Sequence, residues 1–335
     1  MAITIKDVAK DTNLSLATIS KYLNGKNISA HNKKKIKTSI NKLGYTPNKT
    51  AQLLRARKTN TICIFTPSIG DYYWNSIFRH IEEYFRTFGY STMVLSSDAY
   101  SRNSQSSLNL LMSNHVSGIV LIPFADETNN LLHVLHDANI PFVCLDQRLD
   151  SLDTDFVTST NYQSAYDATM YLIARGHRRL GALSSEDYSY TSNERMRGFC
   201  KACEDSNIHP TDIHKINDLG ANPNHIPDFC QDLSLQGTPI ALLSLRYDLT
   251  ITFLSYLSAT DLSIPDDVSL ISFDDDMVFS AYSPPITAIL QDHRNLSYKV
   301  AELLHERING NSSLPLQEIL LPTKMIERKS VSIIN

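Results

Sequence analysis

The sequence predicts an α/β protein in which a small helical N-terminal domain precedes a larger core of two interleaved Rossmann-like subdomains. Two observations support this fold class. Thirteen Lys and Arg stand against two Asp in residues 1–58, so this segment carries +11 while the remaining residues carry −15. From residue 61 onward, short β-branched runs alternate with helical stretches, which is typical of parallel sheets covered by helices on both faces. A chain of 335 residues has room for two or three domains.

The overall composition, 42% hydrophobic and 20% charged residues, is that of an ordinary globular protein. No apolar run approaches the roughly 20 residues needed to span a bilayer. The N-terminus lacks the apolar segment of a signal peptide, and the five cysteines show no disulfide spacing. We therefore expect a cytoplasmic protein without membrane contacts, whose basic segment alone has a polyanionic partner.

Three short helices are predicted in the basic segment. Apolar residues repeat at helical spacing in the first, at Ile5, Val8, Ala9 and Thr12. Ser15 can cap a second helix and Ser29 a third, which ends at Gly44. The second helix then turns small or polar residues outward, namely Ser15, Ala17, Thr18, Ser20 and Lys21. This arrangement is typical of a helix-turn-helix domain, whose second helix enters the major groove of DNA.

The remaining sequence predicts seven strands and seven helices. The candidate strands are Thr61–Thr66, Ser91–Leu95, Gly118–Ile122, Pro141–Leu145, Leu180–Leu183, Ile240–Leu243 and Val268–Phe273. Helices are expected near Tyr73–Phe88, Gln105–Asn114, Asn130–Ala138, Tyr162–Ala174, Ser192–Ser206, Leu249–Ser258 and Asn295–Ile308. Two such halves indicate two subdomains with a cleft between them, where the C-terminal strand ends converge and ligands bind.

Sequence motifs occur at fixed spacing along essentially the whole chain. In the basic segment they are Ile5-Lys6-Asp7-Val8-Ala9, Leu14–Lys21, Leu23-Asn24-Gly25 and Tyr45-Thr46-Pro47-Asn48. In the core they include Asp146-Gln147-Arg148, Arg195–Phe199, Ile264–Ser269, Phe273-Asp274-Asp275 and Pro284–Thr287. Through these motifs the chain resembles the lactose/galactose repressor (LacI/GalR) family. The resemblance implies a helix-turn-helix headpiece at 1–46, a hinge helix or linker at 47–58, and a periplasmic-binding-protein-like effector-binding and dimerisation core at 59–335.

The resemblance also implies roles for residues of the headpiece. Leu16, Ala17 and Lys21 would occupy base-reading positions, and Lys21 stands where the family commonly has an arginine. Leu54 would insert into the minor groove at the centre of the operator. The full set expected to contact DNA or support those contacts is Thr4, Ser15, Leu16, Ala17, Thr18, Ser20, Lys21, Asn24, Ser29, Tyr45, Asn48, Ala51 and Leu54.

Candidate effector-binding residues lie at strand ends of the core. Asp146 and Asp274 each end a strand, and the family resemblance places Arg195 at the cleft. Carboxylates paired with an arginine suit vicinal hydroxyls, which both donate and accept hydrogen bonds. For Asp146, and for Arg148 close by, a salt bridge or a cap is an equally good interpretation.

Two further groups belong to the same prediction. Tyr72, Tyr73 and Trp74 follow the first strand, where they could stack on a sugar or purine ring or simply pack beside the cleft. Arg246 would favour an anionic effector such as a sugar phosphate if it faces the cleft, but it could equally be a surface arginine.

Other classes of protein fit the sequence less well. An enzyme on this fold would need a phosphate-cradling glycine loop, and none occurs. Cys200-Lys201-Ala202-Cys203 has redox-like spacing but falls inside a predicted helix. We therefore expect no catalytic residues, no metal and no cofactor. A solute-binding protein would need a signal peptide and no basic headpiece.

The sequence thus predicts a DNA-binding transcription regulator, by the family's common behaviour a repressor. It would bind double-stranded, pseudo-palindromic operator DNA as a homodimer. The controlling effector would be a small molecule in the cleft, a sugar or a derivative such as a sugar phosphate. The alternative within this class is control by a phosphoprotein corepressor, with the helix near Asn295–Arg307 as part of the docking surface.

Overall fold

The computed structural model describes residues 3–23, 27–45, 59–67, 69–70, 72–96, 104–123, 135, 137–148, 153–185, 189–209, 212–216, 239–310 and 314–334. The chain divides into two compact units, Met1–Thr59 and Asn60–Asn335, and each is described by itself. Within the described residues, no helix is both long and apolar enough to cross a lipid bilayer.

The N-terminal unit contains three helices, α1 (Ile5–Thr12), α2 (Leu16–Leu23) and α3 (Ala30–Leu43). The second and third helices begin after the residues that the sequence predicts as caps. The Ser15 hydroxyl accepts from the Thr18 backbone NH at 3.2 Å, and the Ser29 hydroxyl accepts from Asn32 at 3.4 Å. Gly44 ends α3 with φ of 64°, a left-handed conformation that glycine adopts without strain.

Three fully buried residues, one from each helix, form the centre of this unit: Val8, Ile19 and Ile36. Around them pack further apolar side chains, including Leu14 in the turn between α1 and α2. Because every helix contributes to this small core, α2 is held with Ile19 inward and its opposite face outward.

The C-terminal unit contains twelve strands and seven helices in its described residues. In chain order these are β1 (Thr61–Thr66), α4 (Tyr72–Thr87), β2 (Ser91–Ser96), α5 (Ser104–Ser113), β3 (Gly118–Leu121), β4 (Phe142–Leu145), β5 (Phe156–Ser159), α6 (Asn161–Ala174), β6 (Leu180–Ser185), α7 (Tyr190–Asp205), β7 (Asp212–Ile216), β8 (Ile240–Ser244), α8 (Tyr247–Leu257), β9 (Val268–Phe273), α9 (Met277–Ala281), β10 (Thr287–Leu290), α10 (His293–Ile308), β11 (Glu318–Leu321) and β12 (Lys324–Ile326).

The strands form two six-stranded sheets. Sheet A has the order β11-β5-β4-β3-β1-β2 with every neighbouring pair parallel. Sheet B has the order β12-β10-β9-β8-β6-β7, in which only β12 runs antiparallel to its neighbour. Strands β3, β8 and β9 are buried along their whole length, as expected of parallel strands covered on both faces.

The chain passes between the two sheets three times, after β5, after β10 and after β11. As a result α10, which follows the strands of sheet B in sequence, packs on sheet A. Its Leu296, Val300 and Leu304 belong to the same hydrophobic cluster as Ile62 and Ile77. Each sheet is therefore built from separate stretches of the chain.

Several short elements were absent from the sequence prediction, namely β5, β7, β10, β11, β12 and α9. Most are only three to five residues long, too short for their apolar pattern to stand out from neighbouring loops. The helix predicted at Asn130–Ala138 lies almost entirely outside the described residues.

Candidate functional site

The outward face of α2 is the candidate DNA-reading surface of the N-terminal unit. Leu16 is 44% exposed, and Ala17 and Lys21 are exposed as well. Thr18 is half-buried, and its hydroxyl lies 2.9 Å from that of Ser15. This face thus presents one cation, two small hydroxyl groups and two apolar side chains, which can contact a thymine methyl but cannot hydrogen-bond to base edges.

The N-terminal unit also exposes further lysines on α1 and α3. They are Lys6, Lys10, Lys33, Lys34, Lys35, Lys37 and Lys42. The two carboxylates of this unit, Asp7 and Asp11, accept hydrogen bonds from other residues of the same unit. Asp7 accepts from the backbone NH and hydroxyl of Thr4, both at 2.8 Å, and Asp11 accepts from Lys42 at 2.8 Å. These hydrogen bonds hold the pKa of both carboxyls below the usual range.

The other predicted DNA-contacting residues have different positions. Thr4 and Ser29 start α1 and α3, and Tyr45 packs against the core of the unit. Ser20 is half-buried on α2. Asn24, Asn48, Ala51 and Leu54 lie outside the described residues.

In the C-terminal unit, two carboxylates meet at the C-terminal ends of strands from different sheets. Asp146 directly follows β4 of sheet A, and Asp274 directly follows β9 of sheet B. Both have a left-handed backbone, with φ of 64° and 68°. They are only 5% and 9% exposed. A buried carboxylate in an uncommon backbone conformation costs free energy, which is a feature often found at binding sites.

Arg195 of α7 lies close to Asp274, acts electrostatically on Asp146 and is 3% exposed. Its Nε donates to Asn161 Oδ1 at 2.8 Å, and its Nη1 donates to the Leu245 carbonyl at 2.7 Å. The guanidinium carbon lies 3.6 Å from the centre of the Phe273 ring. One Asp274 oxygen is 3.8 Å from Nη1. Neutral partners therefore hold Arg195 in place while it faces the acidic side chains.

The buried group carries two carboxylates and one guanidinium. Burial raises the pKa of Asp146 to about 6, an effect that Arg195 opposes and Asp274 increases. Of the described contacts, Asp146 accepts one hydrogen bond, from Thr158 at 3.2 Å, and Asp274 accepts one from Gln291. Since a carboxylate can accept about four, both retain acceptor capacity for a ligand that donates.

The aromatic residues after β1 differ in their environments. Tyr73 is 9% exposed, and its hydroxyl lies near Gln291 but makes no hydrogen bond of good geometry with a described residue. Burial, reinforced by Asp146 and Asp274, raises the pKa of that hydroxyl well above its usual value. Trp74 packs edge-to-face on Tyr73 at 4.7 Å and belongs to the periphery of the sheet A core. Tyr72 begins α4, and its side chain lies outside the described set.

The two remaining arginine candidates form ion pairs. Arg148 lies 3.3 Å from Glu318, with both side chains 45% exposed, so the salt-bridge alternative for Arg148 is the one observed. Arg246 donates to both oxygens of Asp248, at 3.0 and 2.6 Å. The positive charge that would have attracted an anionic effector is therefore balanced by a neighbouring carboxylate.

Polar residues that the sequence analysis missed complete the site. Asn161 and Gln291 hold Arg195 and Asp274, and both are buried. Gln147 bridges the sheets near the site, donating to Ser189 Oγ at 2.8 Å and accepting from the Tyr190 NH at 2.8 Å. Each of the three lies within two residues of a strand end. The rule that selects Asp146 would also select Asn161 and Gln291 if β5 and β10 were recognised in the sequence.

The Cys200 and Cys203 pair lies within α7, as the sequence predicts. Burial raises the pKa of the Cys203 thiol to about 12 and also raises that of Cys200. A thiol in this state is a weak nucleophile. No group of three or more metal-binding side chains comes together among the described residues.

Two family models match the chain. Residues 4–48 match the model for bacterial regulatory proteins of the lacI family, and residues 169–331 match the model for a periplasmic binding protein-like domain. The first covers the three helices of the N-terminal unit, and the second covers sheet B together with α10 and β11.

Curated relatives match along the whole length. The chain is 28% identical to the HTH-type transcriptional repressor PurR of Actinobacillus pleuropneumoniae, over 99% of both chains. It is 27% identical to the NTD biosynthesis operon regulator NtdR of Bacillus subtilis, over 98% of this chain and 99% of the relative.

Solved structures share the fold. A lac repressor dimer bound to operator and the anti-inducer ONPF aligns with a TM-score of 0.82 and 22% identity, covering 99% of this chain and 100% of that one. The transcriptional regulator CelR in complex with cellobiose aligns with a TM-score of 0.70 and 22% identity, covering 98% and 99%.

Proposed function

Because this chain belongs to the LacI family of DNA-binding transcription regulators and is not an enzyme, we propose that it acts as a homodimeric repressor of a pseudo-palindromic operator. Two-fold symmetry of the protein would match two-fold symmetry of the DNA, with half-sites about one helical turn apart. A small molecule in the cleft between sheets A and B would control the affinity for the operator, because it binds the two states of the protein unequally.

The single observation that carries the effector proposal is the buried group formed by Asp146, Arg195 and Asp274. It offers several free acceptor positions and one oriented guanidinium in a site closed to bulk water. Vicinal hydroxyls of a sugar can donate to both carboxylates and accept from the arginine. The cellobiose-bound structure with the same fold supports a sugar as the ligand class.

An uncharged sugar fits better than a sugar phosphate. The described site contains one more carboxylate than guanidinium, and Arg246 is occupied by Asp248. A phosphate placed there would add negative charge to a buried site that is already acidic, which is energetically unfavourable.

The alternative of a phosphoprotein corepressor gains no specific support. A docking site for a phosphoserine needs a cluster of cations. On α4 and α10, Arg86 pairs with Glu82 at 3.3 Å, Lys299 with Glu302 at 2.8 Å and Arg307 with Asp155 at 2.7 Å.

The effector proposal can be tested on the full chain by thermal unfolding with D-ribose, cellobiose and ribose 5-phosphate. A ligand present at a thousandfold excess over its Kd stabilises by about 4 kcal/mol. We expect a neutral sugar to raise the Tm and the phosphate to leave it unchanged. Asp274→Asn should abolish the shift. Asp275→Asn is the matched control, because the adjacent Asp275 pairs with Arg328 at 2.8 Å and not with Arg195.

Stabilisation by the phosphate alone would contradict the choice of a neutral sugar. An unchanged response in Asp274→Asn would contradict the location of the site. The operator proposal is tested separately by selecting bound sequences from random duplex DNA. A pseudo-palindromic consensus is expected, and an asymmetric one would argue against a symmetric dimer on DNA.

A further inference from the structure

Both cleft carboxylates and Arg195 belong to one connected network of buried hydrogen bonds and an ion pair. On one side, Thr158 Oγ1 donates to Asp146 at 3.2 Å, and Asn161 Nδ2 donates to Thr158 Oγ1 at 3.1 Å. The oxygen of the same amide, Asn161 Oδ1, accepts from Arg195 Nε at 2.8 Å. Asn161 therefore connects the acidic residue of sheet A with the cation of sheet B.

The other side of the network runs through Gln291. Its Nε2 donates to Asp274 Oδ1, and its Oε1 accepts from the Ser159 hydroxyl at 2.6 Å. The two sides meet at the ion pair between Asp274 and Arg195, whose nearest atoms are 3.8 Å apart. Asn161, Gln291 and Ser159 are each no more than 3% exposed, so water does not compete for these hydrogen bonds.

The positions of these amides in the chain are informative. Ser159 ends β5 of sheet A, and Asn161 begins α6 directly after the first passage between the sheets. Gln291 follows β10 in the second passage, just before α10. Each amide thus has one partner at the end of sheet A and one partner that is a charged group of sheet B.

We propose that Asn161 and Gln291 are positioning residues that make the angle between sheets A and B depend on the charged groups of the cleft. Arg195 and Asp274 hydrogen-bond to Asn161 and Gln291, which lie in the segments about which the two subdomains would rotate. A sugar hydroxyl that donates to Asp274, or that accepts from Arg195, therefore binds the same charged groups that the Gln291 and Asn161 amides hold. Effector binding thereby changes the restraints on the hinge itself.

This inference rests on the proposed function, since it treats the cleft as the effector site. The competing explanation is that polar residues in the passages only connect the subdomains mechanically. The third passage provides the comparison. There the Thr323 hydroxyl donates to Ser164 Oγ at 2.7 Å, and Ser164 donates to the Thr160 carbonyl at 2.6 Å. This pair also joins two passages, but it does not include a cleft charge.

The test measures the distance between the subdomains in the full, unliganded chain by double electron–electron resonance. Nitroxide labels are attached at Glu82→Cys on α4 and Ser255→Cys on α8, with Cys200 and Cys230 replaced by Ser. The variants are Gln291→Met, which keeps the side-chain length but removes both hydrogen bonds, and Ser159→Ala, which removes only the end at sheet A. Thr323→Val is the matched control.

We expect Gln291→Met and Ser159→Ala each to widen the distance distribution at least twofold, and Thr323→Val to leave it unchanged. Because Ser159 and Gln291 act in one chain of hydrogen bonds, the double variant should be no wider than Gln291→Met alone. If Gln291→Met does not fold, Ser159→Ala alone tests the proposal, since this variant leaves the backbone pairing of β5 intact.

An unchanged distribution in Ser159→Ala and Gln291→Met would overturn the proposal. So would equal widening in Thr323→Val, because the passages would then act only as mechanical connections. The measurement is made without an effector. A failure to find a sugar that binds would therefore count against the proposed function, while the distance measurement would remain valid.

Discussion

At the residue scale, Asp146 combines a buried carboxylate with a raised pKa, which makes stability depend on pH. Burial moves the pKa in the folded chain from 3.8 to about 6. Below pH 4 the group is protonated in both folded and unfolded chains. Between pH 4 and 6 the folded chain holds the proton more tightly, so this residue favours folding most at low pH. That contribution is lost as the pH rises through 6.

Asp146→Asn removes this dependence. The free energy of unfolding of the variant, relative to the parent, should therefore rise by up to about 3 kcal/mol between pH 4 and pH 7. Urea unfolding at several pH values measures the difference. Asp267→Asn is a control of opposite sign, because hydrogen bonds from Ser263 lower the pKa of Asp267. A difference for Asp146→Asn that does not change with pH would show that the folded carboxyl titrates normally.

Lys21 is the only charged side chain on the outward face of α2. A lysine makes a single-point contact where an arginine would make a bidentate one. Lys21→Ala should therefore relax the preference at one base pair in each half-site by about 1 kcal/mol, as measured by operator affinities with single-base changes.

The matched control for Lys21→Ala is Lys37→Ala, which removes an exposed cation of α3. That variant should weaken binding to all sequences alike and reduce the salt dependence of binding, as expected for a phosphate contact. If Lys21→Ala behaves in the same way, Lys21 contacts phosphates and does not read a base.

At the scale of elements, α6 and α7 approach so closely that a side chain does not fit between them. A Cβ on Gly198 of α7 would overlap the backbone carbonyl of Tyr162 in α6. Gly198→Ala should destabilise the protein by about 2 kcal/mol or more, although alanine is favoured in helices by about 1 kcal/mol.

Thermal or urea unfolding measures the effect of Gly198→Ala. Lys201→Ala on the same helix is the control, since Lys201 lies on the exposed side and forms only surface ion pairs. We expect it to change stability by less than about 0.5 kcal/mol. A Gly198→Ala variant as stable as the parent would mean that α6 and α7 can move apart without lowering the free energy of unfolding.

The elements also differ in how accurately the sequence predicts their ends. The strands β1, β3, β8 and β9 are continuous apolar runs flanked by polar turns, and the prediction places each within one residue of its observed ends. The strands β10, β11 and β12 contain three or four residues. Their positions depend on pairing with distant strands, and local periodicity carries no information about such pairing.

At the scale of the whole molecule, three passages between the sheets make each subdomain depend on distant parts of the chain. Sheet A receives β11 from near the C-terminus, and α10 covers one of its faces. A fragment of residues 60–160 contains the other five strands but lacks both elements. It should show no cooperative unfolding transition in urea, because the cluster around Ile62 and Ile77 would be open to water on the side of α10.

The comparison for that fragment is residues 60–335, which contain the complete sheets and should unfold cooperatively when monitored by circular dichroism. A cooperative transition in the 60–160 fragment would show that sheet A is stable without its C-terminal elements, and that the interleaving contributes little to its stability.

The basic three-helix unit, the parallel α/β core and the family can all be predicted from the amino-acid sequence. Each depends on local signals, namely charge, apolar periodicity, caps and motifs of adjacent residues. The strand-end pattern predicts Asp146 and Asp274 as candidate site residues, and the family resemblance adds Arg195. The pairing of Arg246 with Asp248, and the hydrogen bonds by which Asn161 and Gln291 link the cleft to the passages between the sheets, are seen in the folded structure and not in the sequence. The contacts of Asn161 and Gln291 join residues up to 132 positions apart, and they form because the chain crosses between the two sheets.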